Sequence, residues 1–309
     1  MKKINIAIIG AGKISEEYLN TIKKNKNFFK IKCIIGRTLI NVKKLSKKYR
    51  LKNYYDNIDK IFTHKVDIII VAVDVSSTIN VAKRLKNFNG IIFFEKPLGV
   101  NFKETKLISK ILNKNRKNCF VALNRRFYPN IQFVKNCLKK DFSPRIISVY
   151  DQENTNYLNH KKIVIKNWMF ANSVHLIDLL NFFARGVLKK ITTTKKISKK
   201  EKIFISKLTY SSGDIGLYTS VWNRPGPWSI SISSSKYFFD FNPLEKLRVR
   251  NFPINKSIDV LLDEKNTLKP GFYGQLLALK EFFKKGVSQD LLNIDEYVEL
   301  ARIIKRIYK

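Results

Sequence analysis

The sequence predicts an α/β protein in two parts. Residues 1–123 form a doubly wound parallel sheet, and residues 124–309 form an α/β domain on a large, mostly antiparallel open sheet. Three observations predict this. Apolar runs in the first part alternate with segments of helical periodicity, the rhythm of a parallel sheet covered on both faces. Beyond residue 124, strand-like segments follow one another with no helix between them, which favours antiparallel pairing with one face open. Finally, 309 residues with 44% hydrophobic content are too many for one small core and suit two domains.

The first strand is "INIAIIG" (4–10), which ends in glycine and leads into the helical "ISEEYLNTIKKN". "FKIKCIIG" (29–36) is the second strand, followed by the helical "NVKKLSKKYR", and "VDIIIVAV" (66–73) is the third. "STINVAKRLKN" reads as a helix, "GIIFFE" as a strand, "KETKLISKILNKN" as a helix and "NCFVALN" as a strand. Runs that are apolar at every position belong to strands buried on both faces, and right-handed crossovers then wind the sheet doubly. In the second part, "PRIISVYDQEN" (144–154) starts a strand, and "NSVHLIDLLNFFARG" (172–186) is a helix with an apolar face, stopped near Gly186. "KKITTTKKIS", "KIFISKLTY", "IGLYTSVWN", "WSISISSSKYFFDF" and "KLRVRN" are strand-like, with turns signalled at "SSGD" and "NRPGPW". "FYGQLLALKEFFKKG" and "NIDEYVELARIIKRIYK" are helical.

Composition excludes several classes. A chain with 22 Phe is globular despite 27% charged residues. No apolar run approaches the ~18–20 residues of a membrane span, so no membrane partner is expected. "MKKINIAIIGAG" continues through "KISEEYL" as strand, turn and helix rather than toward a small-residue cleavage site, so a mature, cytoplasmic protein is expected. Cys33, Cys119 and Cys137 are odd in number and lack metal or redox spacing; they are expected to be reduced and passive, and no metal site is expected.

The net charge of +36 raises the question of a polyanionic partner. Lysine outnumbers arginine and is spread along the whole chain, and Ile and Asn are also abundant, as drift in an A/T-rich coding sequence produces. Bidentate recognition of phosphate or bases favours arginine. No specific nucleic-acid partner is expected, and a basic nucleic-acid-binding protein is the last of the three functions weighed. The positive field would still attract anionic dinucleotides and phosphorylated substrates.

"IIGAGKIS" supplies Gly10-x-Gly12-x-x-Ser15 where the first strand meets the first helix. A tight turn needs Gly10, and Gly12 lets the backbone approach a pyrophosphate at the helix N-terminus. Ser15 stands where Gly or Ala is usual and is small enough to fit. Lys13 and Ile14 open the helix. At the end of the second strand, where an acid would hold the ribose 2′-hydroxyl of NAD, the chain has Gly36, Arg37 and Thr38. A guanidinium in place of a carboxylate can pair with a 2′-phosphate, so NADP is the expected cofactor, with NAD as the alternative. The expected cofactor-binding residues are Gly10, Gly12, Lys13, Ile14, Arg37 and Thr38, joined by Glu95 and Lys96 at the C-terminal end of a parallel strand, the edge where such sheets bind ligands.

"IGAGKIS" (9–15), "EKPLGV" (95–100), "NRRFYP" (124–129) and "SVHLIDLL" (173–180) occur in that order. Together they resemble the Gfo/Idh/MocA family of nicotinamide-dependent oxidoreductases acting mainly on sugars and cyclitols. The resemblance implies an N-terminal Rossmann domain and a C-terminal domain whose open sheet serves oligomerisation, here as a homo-oligomer, dimer or tetramer. It implies that Lys96 sits beside nicotinamide and substrate, its bond to Pro97 frequently cis, and that His175 is the catalytic proton carrier. An imidazole titrates near neutrality and suits that work in both directions.

The family's aspartate four residues before the histidine is missing here, where Ala171 stands, with Asn172 next. Asn172 shares a helical face with His175 and could bind a substrate hydroxyl, but it cannot accept a proton. Asp178 fits the family's H-x-x-D pattern and is expected to serve structure first. Arg125, Tyr128 and Trp168 join Asn172 as expected substrate-binding residues, and Tyr273 is a further aromatic candidate; core packing explains most such rings. The leading function is a hydride transfer between a nicotinamide cofactor and a carbinol or carbonyl carbon of a sugar, sugar acid or nucleotide sugar. The alternative, raised by Ala171 and Asn172, is a non-catalytic dinucleotide- or sugar-binding relative.

Overall fold

A computed structural model of the chain describes residues 3–198, 201–260 and 268–309. The chain begins β1 (Ile4–Ile9), α1 (Lys13–Lys24), β2 (Phe29–Ile35), α2 (Leu39–Tyr49), β3 (Tyr54–Tyr55), β4 (Ile68–Val71), α3 (Thr78–Leu85), β5 (Ile91–Glu95), α4 (Phe102–Ile111) and β6 (Cys119–Ala122). It continues α5 (Pro129–Leu138), β7 (Ile146–Glu153), α6 (Lys162–Lys166), α7 (Val174–Phe183), β8 (Leu188–Ile197), β9 (Lys202–Tyr210), β10 (Ile215–Trp222), β11 (Trp228–Ser233), β12 (Tyr237–Phe241), β13 (Leu247–Asn251) and β14 (Ser257–Val260). It ends with α8 (Phe272–Lys285), β15 (Leu292–Asn293) and α9 (Ile294–Ile307). Among the described residues no helix is long and apolar enough to cross a membrane.

The chain forms two compact units, one of residues 1–124 with 266–299, the other of residues 125–265 with 300–309. This differs from a single break after residue 123, because the chain returns to the first unit. Leu292 and Asn293 of β15 pair with Val121 and Phe120 of β6, and Phe272 of α8 packs its ring 4.7 Å from that of Tyr18 on α1. The sequence marked both late helices but had no signal for the two-residue strand between them.

The first unit holds a seven-stranded sheet in the order β15-β6-β5-β4-β1-β2-β3, parallel except at β15. Ile6, Ile8, Ile68, Ile69, Ile70 and Phe93 are fully buried, as strands covered on both faces require. Central β1 pairs with β2 on one side and β4 on the other. The connections leaving β1 and β4 therefore diverge, at the switch point where such sheets bind ligands.

The second unit holds an eight-stranded sheet in the order β14-β13-β12-β11-β7-β10-β9-β8. Every neighbouring pair is antiparallel except β7 and β10. Period-two alternation turns Ile147, Val149, Asp151 and Glu153 of β7 to the buried face covered by α7. The opposite face exposes Ile146 (47%), Ile205 (52%) and Leu217 (40%). The single strand-like run 228–241 is two strands, β11 and β12, paired as a hairpin. The helix expected from 172 begins earlier, with a π-helical turn at Met169–Ser173, and ends at Phe183, where Ala184 turns extended. The buried Arg145 guanidinium donates to Phe183 O (2.7 Å) and Leu138 O (2.9 Å), closing the last turns of α7 and α5.

Candidate functional site

In the first unit the β1–α1 turn is built as a dinucleotide loop requires. Gly10 has φ +126°, and a Cβ there would lie 2.1 Å from the Ala72 carbonyl oxygen, so no side chain is tolerated. Gly12 is the residue before α1, has no side-chain cap, and faces open space within 4 Å of where a Cβ would stand. The N–H groups of the first turn, from Lys13 onward, are thus left for an external anion. Ser15 in the third glycine position is fully buried, its hydroxyl without a hydrogen-bond partner among the described residues. A Cβ on Gly36 would meet Val42 and, at 3.1 Å, Ala11, which brings the end of β2 against the glycine loop. Arg37 and Thr38 follow it and are exposed. This donor set fits a dinucleotide: backbone amides for the pyrophosphate and a guanidinium beyond β2.

At the C-terminal end of β5, Glu95 and Lys96 are half-buried and the Lys96–Pro97 bond is cis. Glu95 accepts a 2.6 Å hydrogen bond from the Tyr18 hydroxyl. Burial pushes its carboxyl above the usual range, opposed by the Tyr18 bond and the charges of Lys96 and Lys269. Glu95 is therefore engaged within the unit by Tyr18, while Lys96 continues beyond the strand.

In the second unit, side chains converge where β7 ends beneath the His175 segment. Asp151 accepts from Trp228 Nε1 (2.8 Å) and from the Tyr218 hydroxyl. Tyr308 joins the group, its hydroxyl 2.7 Å from that of Tyr218 and 2.9 Å from Ser220 Oγ. Glu153 accepts from Trp168 Nε1 (2.6 Å) and Asn172 Nδ2 (2.8 Å). Burial and the neighbouring Asp151 charge push Glu153 up to about 8. His175 is buried and meets Trp228 edge-on, ring centroids 6.4 Å apart. On the same indole lies the Arg125 guanidinium, 4.4 Å from the ring centroid, and Arg125 Nη1 donates to the Tyr128 hydroxyl at 2.6 Å.

The expected residues Arg125, Tyr128, Trp168, Asn172 and His175 thus belong to one network, and Trp228, Asp151 and Glu153 connect them. Sequence reasoning missed these three. A signal was present: in "IISVYDQE" the period of two puts Asp151 and Glu153 on the same face as Ile147 and Val149. Tyr273 lies on α8, in the first unit. The two adjacent arginines separate cleanly. Arg126 is buried and grips Asp178 through two bonds, of 2.7 and 2.6 Å, which gives Asp178 a structural task. Among the described residues no group of three or more His, Cys, Asp or Glu could hold a metal ion.

Residues 4–123 match the family model described as the Gfo/Idh/MocA oxidoreductase family, NAD-binding Rossmann fold. No curated protein matches the sequence. The whole chain is similar in structure to a dehydrogenase from Chromobacterium violaceum, with a TM-score of 0.82 at 13% identity over 100% of this chain and 95% of that one. It is also similar to UDP-N-acetylglucosamine 3-dehydrogenase GnnA from Acidithiobacillus ferrooxidans, with a TM-score of 0.78 at 10% identity over 100% and 97% of the two chains. A levoglucosan dehydrogenase in complex with NADH and L-sorbose gives 0.79 at 14% identity over 100% and 96%. At these identities the likeness is one of fold, and it agrees with the sheet order, the glycine loop and the matched segment. Residues 4–123 thus form an NAD-binding Rossmann domain of the Gfo/Idh/MocA oxidoreductase type.

Proposed function

We propose that the protein is an NAD(P)-dependent oxidoreductase acting on a CH–OH carbon of a sugar, sugar acid or nucleotide sugar. The observation that carries this reading is the Gly10–Gly12 turn at the switch point of a sheet whose sequence matches the family's cofactor domain. A bound nicotinamide would exchange the hydride; the chain's own groups handle the oxygen and the proton. Lys96 orients and polarises the reacting oxygen by donating a hydrogen bond, and His175 takes the hydroxyl proton in oxidation and returns it in reduction. Asn172, Arg125, Tyr128 and Trp168 bind substrate hydroxyls and ring faces. Arg37, exposed beside the glycine loop, favours NADP by pairing with a 2′-phosphate. Association of copies through the open sheet face of the second unit is the proposed oligomeric arrangement.

Nicotinamide-cofactor binding followed by a polyol and nucleotide-sugar screen, read by nicotinamide absorbance, tests this reading. Lys96→Ala and His175→Ala should keep cofactor affinity and lose most turnover; wild-type rates in both would overturn the assignment. Arg37→Asp should shift preference toward NAD, and an unmodified protein that already prefers NAD would refute the NADP reading. A second reading, a non-catalytic relative, is favoured by Ala171 and predicts cofactor binding without turnover.

A further inference from the structure

Asp151 and Glu153 are 0% and 5% exposed, yet the side chains that hydrogen-bond them from outside the pair are uncharged among the described residues. They are the indoles of Trp168 and Trp228, the hydroxyls of Tyr218 and Ser173, and the amide of Asn172. The chain carries 60 Lys and Arg against 24 Asp and Glu. Elsewhere in the same unit Asp178 is paired with Arg126 and Asp214 with Arg185, whereas the buried Asp141 accepts from the backbone N–H and hydroxyl of Ser143. An ionised carboxyl buried without a cation is among the costliest of polar burials, and two side by side cannot both stay charged. The pair avoids the cost by keeping a proton.

Burial lifts Asp151 above the usual carboxylate range, and the bonds it accepts from Tyr218, Ser173, Trp228 and Glu153 oppose that only in part. Burial and the neighbouring Asp151 push Glu153 up to about 8, so the pair keeps a shared proton at neutral pH. The Glu153 carboxyl also reaches the helical segment that holds His175. Oε1 accepts from Nδ2 of Asn172, one helical turn before His175. That bond fixes the sense of the amide, nitrogen toward β7, and leaves Oδ1 as its acceptor.

We propose, resting on the oxidoreductase reading above, that Glu153 is a positioning residue of this site. Sharing one proton with Asp151, it holds Asn172 so that Oδ1 accepts a bond from a substrate hydroxyl next to the reacting carbon. Among the described residues the titratable and charged groups near Glu153 include Asp151 on its own strand, Tyr218 on β10, Tyr308 after α9, Lys202 on β9 over Trp222, the β10 partner of Glu153, and His175 one helical turn beyond Asn172. His160 stacks on Trp168, ring centroids 5.3 Å apart, and Arg125 lies over Trp228.

The experiment is a carbon-13 titration of glutamate carboxyls, with the Asn172 side-chain amide followed by nitrogen-15 and assigned by Asn172→Ala. One carboxyl should titrate near pH 8 and the Asn172 amide should move with the same midpoint, both changes vanishing in Glu153→Gln. A Glu153 that titrates in the ordinary carboxylate range, or an amide that ignores it, overturns the proposal. In turnover, Glu153→Gln still offers a carbonyl acceptor and should hold KM within about twofold at pH 7, whereas Glu153→Ala should raise KM about tenfold with a smaller change in kcat. An unchanged KM in a folded Glu153→Ala overturns the positioning role. Failure of the oxidoreductase reading shows separately, as absent turnover across the substrate screen with or without nicotinamide binding, while the two resonances still decide whether Glu153 holds its proton and its grip on Asn172.

Discussion

Replacing Glu153 by Gln tests the electrostatics of the second unit through stability alone. The Glu153 carboxyl moves from an ordinary 4.5 to about 8 on folding. Below the unfolded value both states carry the proton and the group contributes nothing to the pH dependence. Between the two values the folded chain holds a proton that the unfolded chain has released, so stability falls as pH rises, by about 1.36 kcal/mol per unit. Above the folded value the loss is complete, at about 5 kcal/mol for this shift of 3.5 units. Coupling to Asp151 spreads the titration but keeps its sign. From pH 6 to pH 9 the wild type should lose about 3 kcal/mol that Glu153→Gln keeps. All three tryptophans, Trp168, Trp222 and Trp228, lie in the second unit, so urea unfolding followed by tryptophan fluorescence reports on that unit. Parallel pH profiles for wild type and variant would refute the argument.

Gly10→Ala should destabilise the first unit by about 2 kcal/mol or more, from positive φ and the clash with the Ala72 carbonyl. It should also abolish dinucleotide binding; circular-dichroism melting and a cofactor titration check the two effects. Arg126→Ala strands the buried Asp178 carboxylate and should cost about 3–5 kcal/mol by urea unfolding. Arg125→Ala, one residue earlier and half-buried over Trp228, should leave stability within about 1 kcal/mol of wild type and act on substrate KM instead.

The parallel sheet was legible because strands buried on both faces write themselves as unbroken apolar runs, and the glycine turn because only glycine fits at Gly10. The antiparallel strands were legible in outline, since turn residues separate them. What escaped is what depends on distant pairing. β15 is two residues long and exists because β6 offers it an edge. The roles of Arg125 and Arg126 look alike in sequence and diverge only because Asp178 and Trp228 take one each. Asp151 and Glu153 escaped for a related reason. Two acids on a strand read as surface until the helix above them shows that their face is the covered one.

That placement bears on whether the missing carboxyl at Ala171 silences the site. A helix that lost its acid with nothing in return would leave His175 among apolar and aromatic neighbours. Here the strand beneath supplies two carboxyls, one of them reaching Asn172 and the other the indole that meets His175 edge-on. Packing apolar residues at Asp151 and Glu153 would stabilise such a core, so stability alone does not account for the pair. On the proposed oxidoreductase reading, the shared proton lets the site change charge at modest cost near neutral pH. The same logic predicts that Asp151→Asn, which removes the charge lifting Glu153, should lower the Glu153 midpoint below 8 and shift the pH optimum of turnover with it.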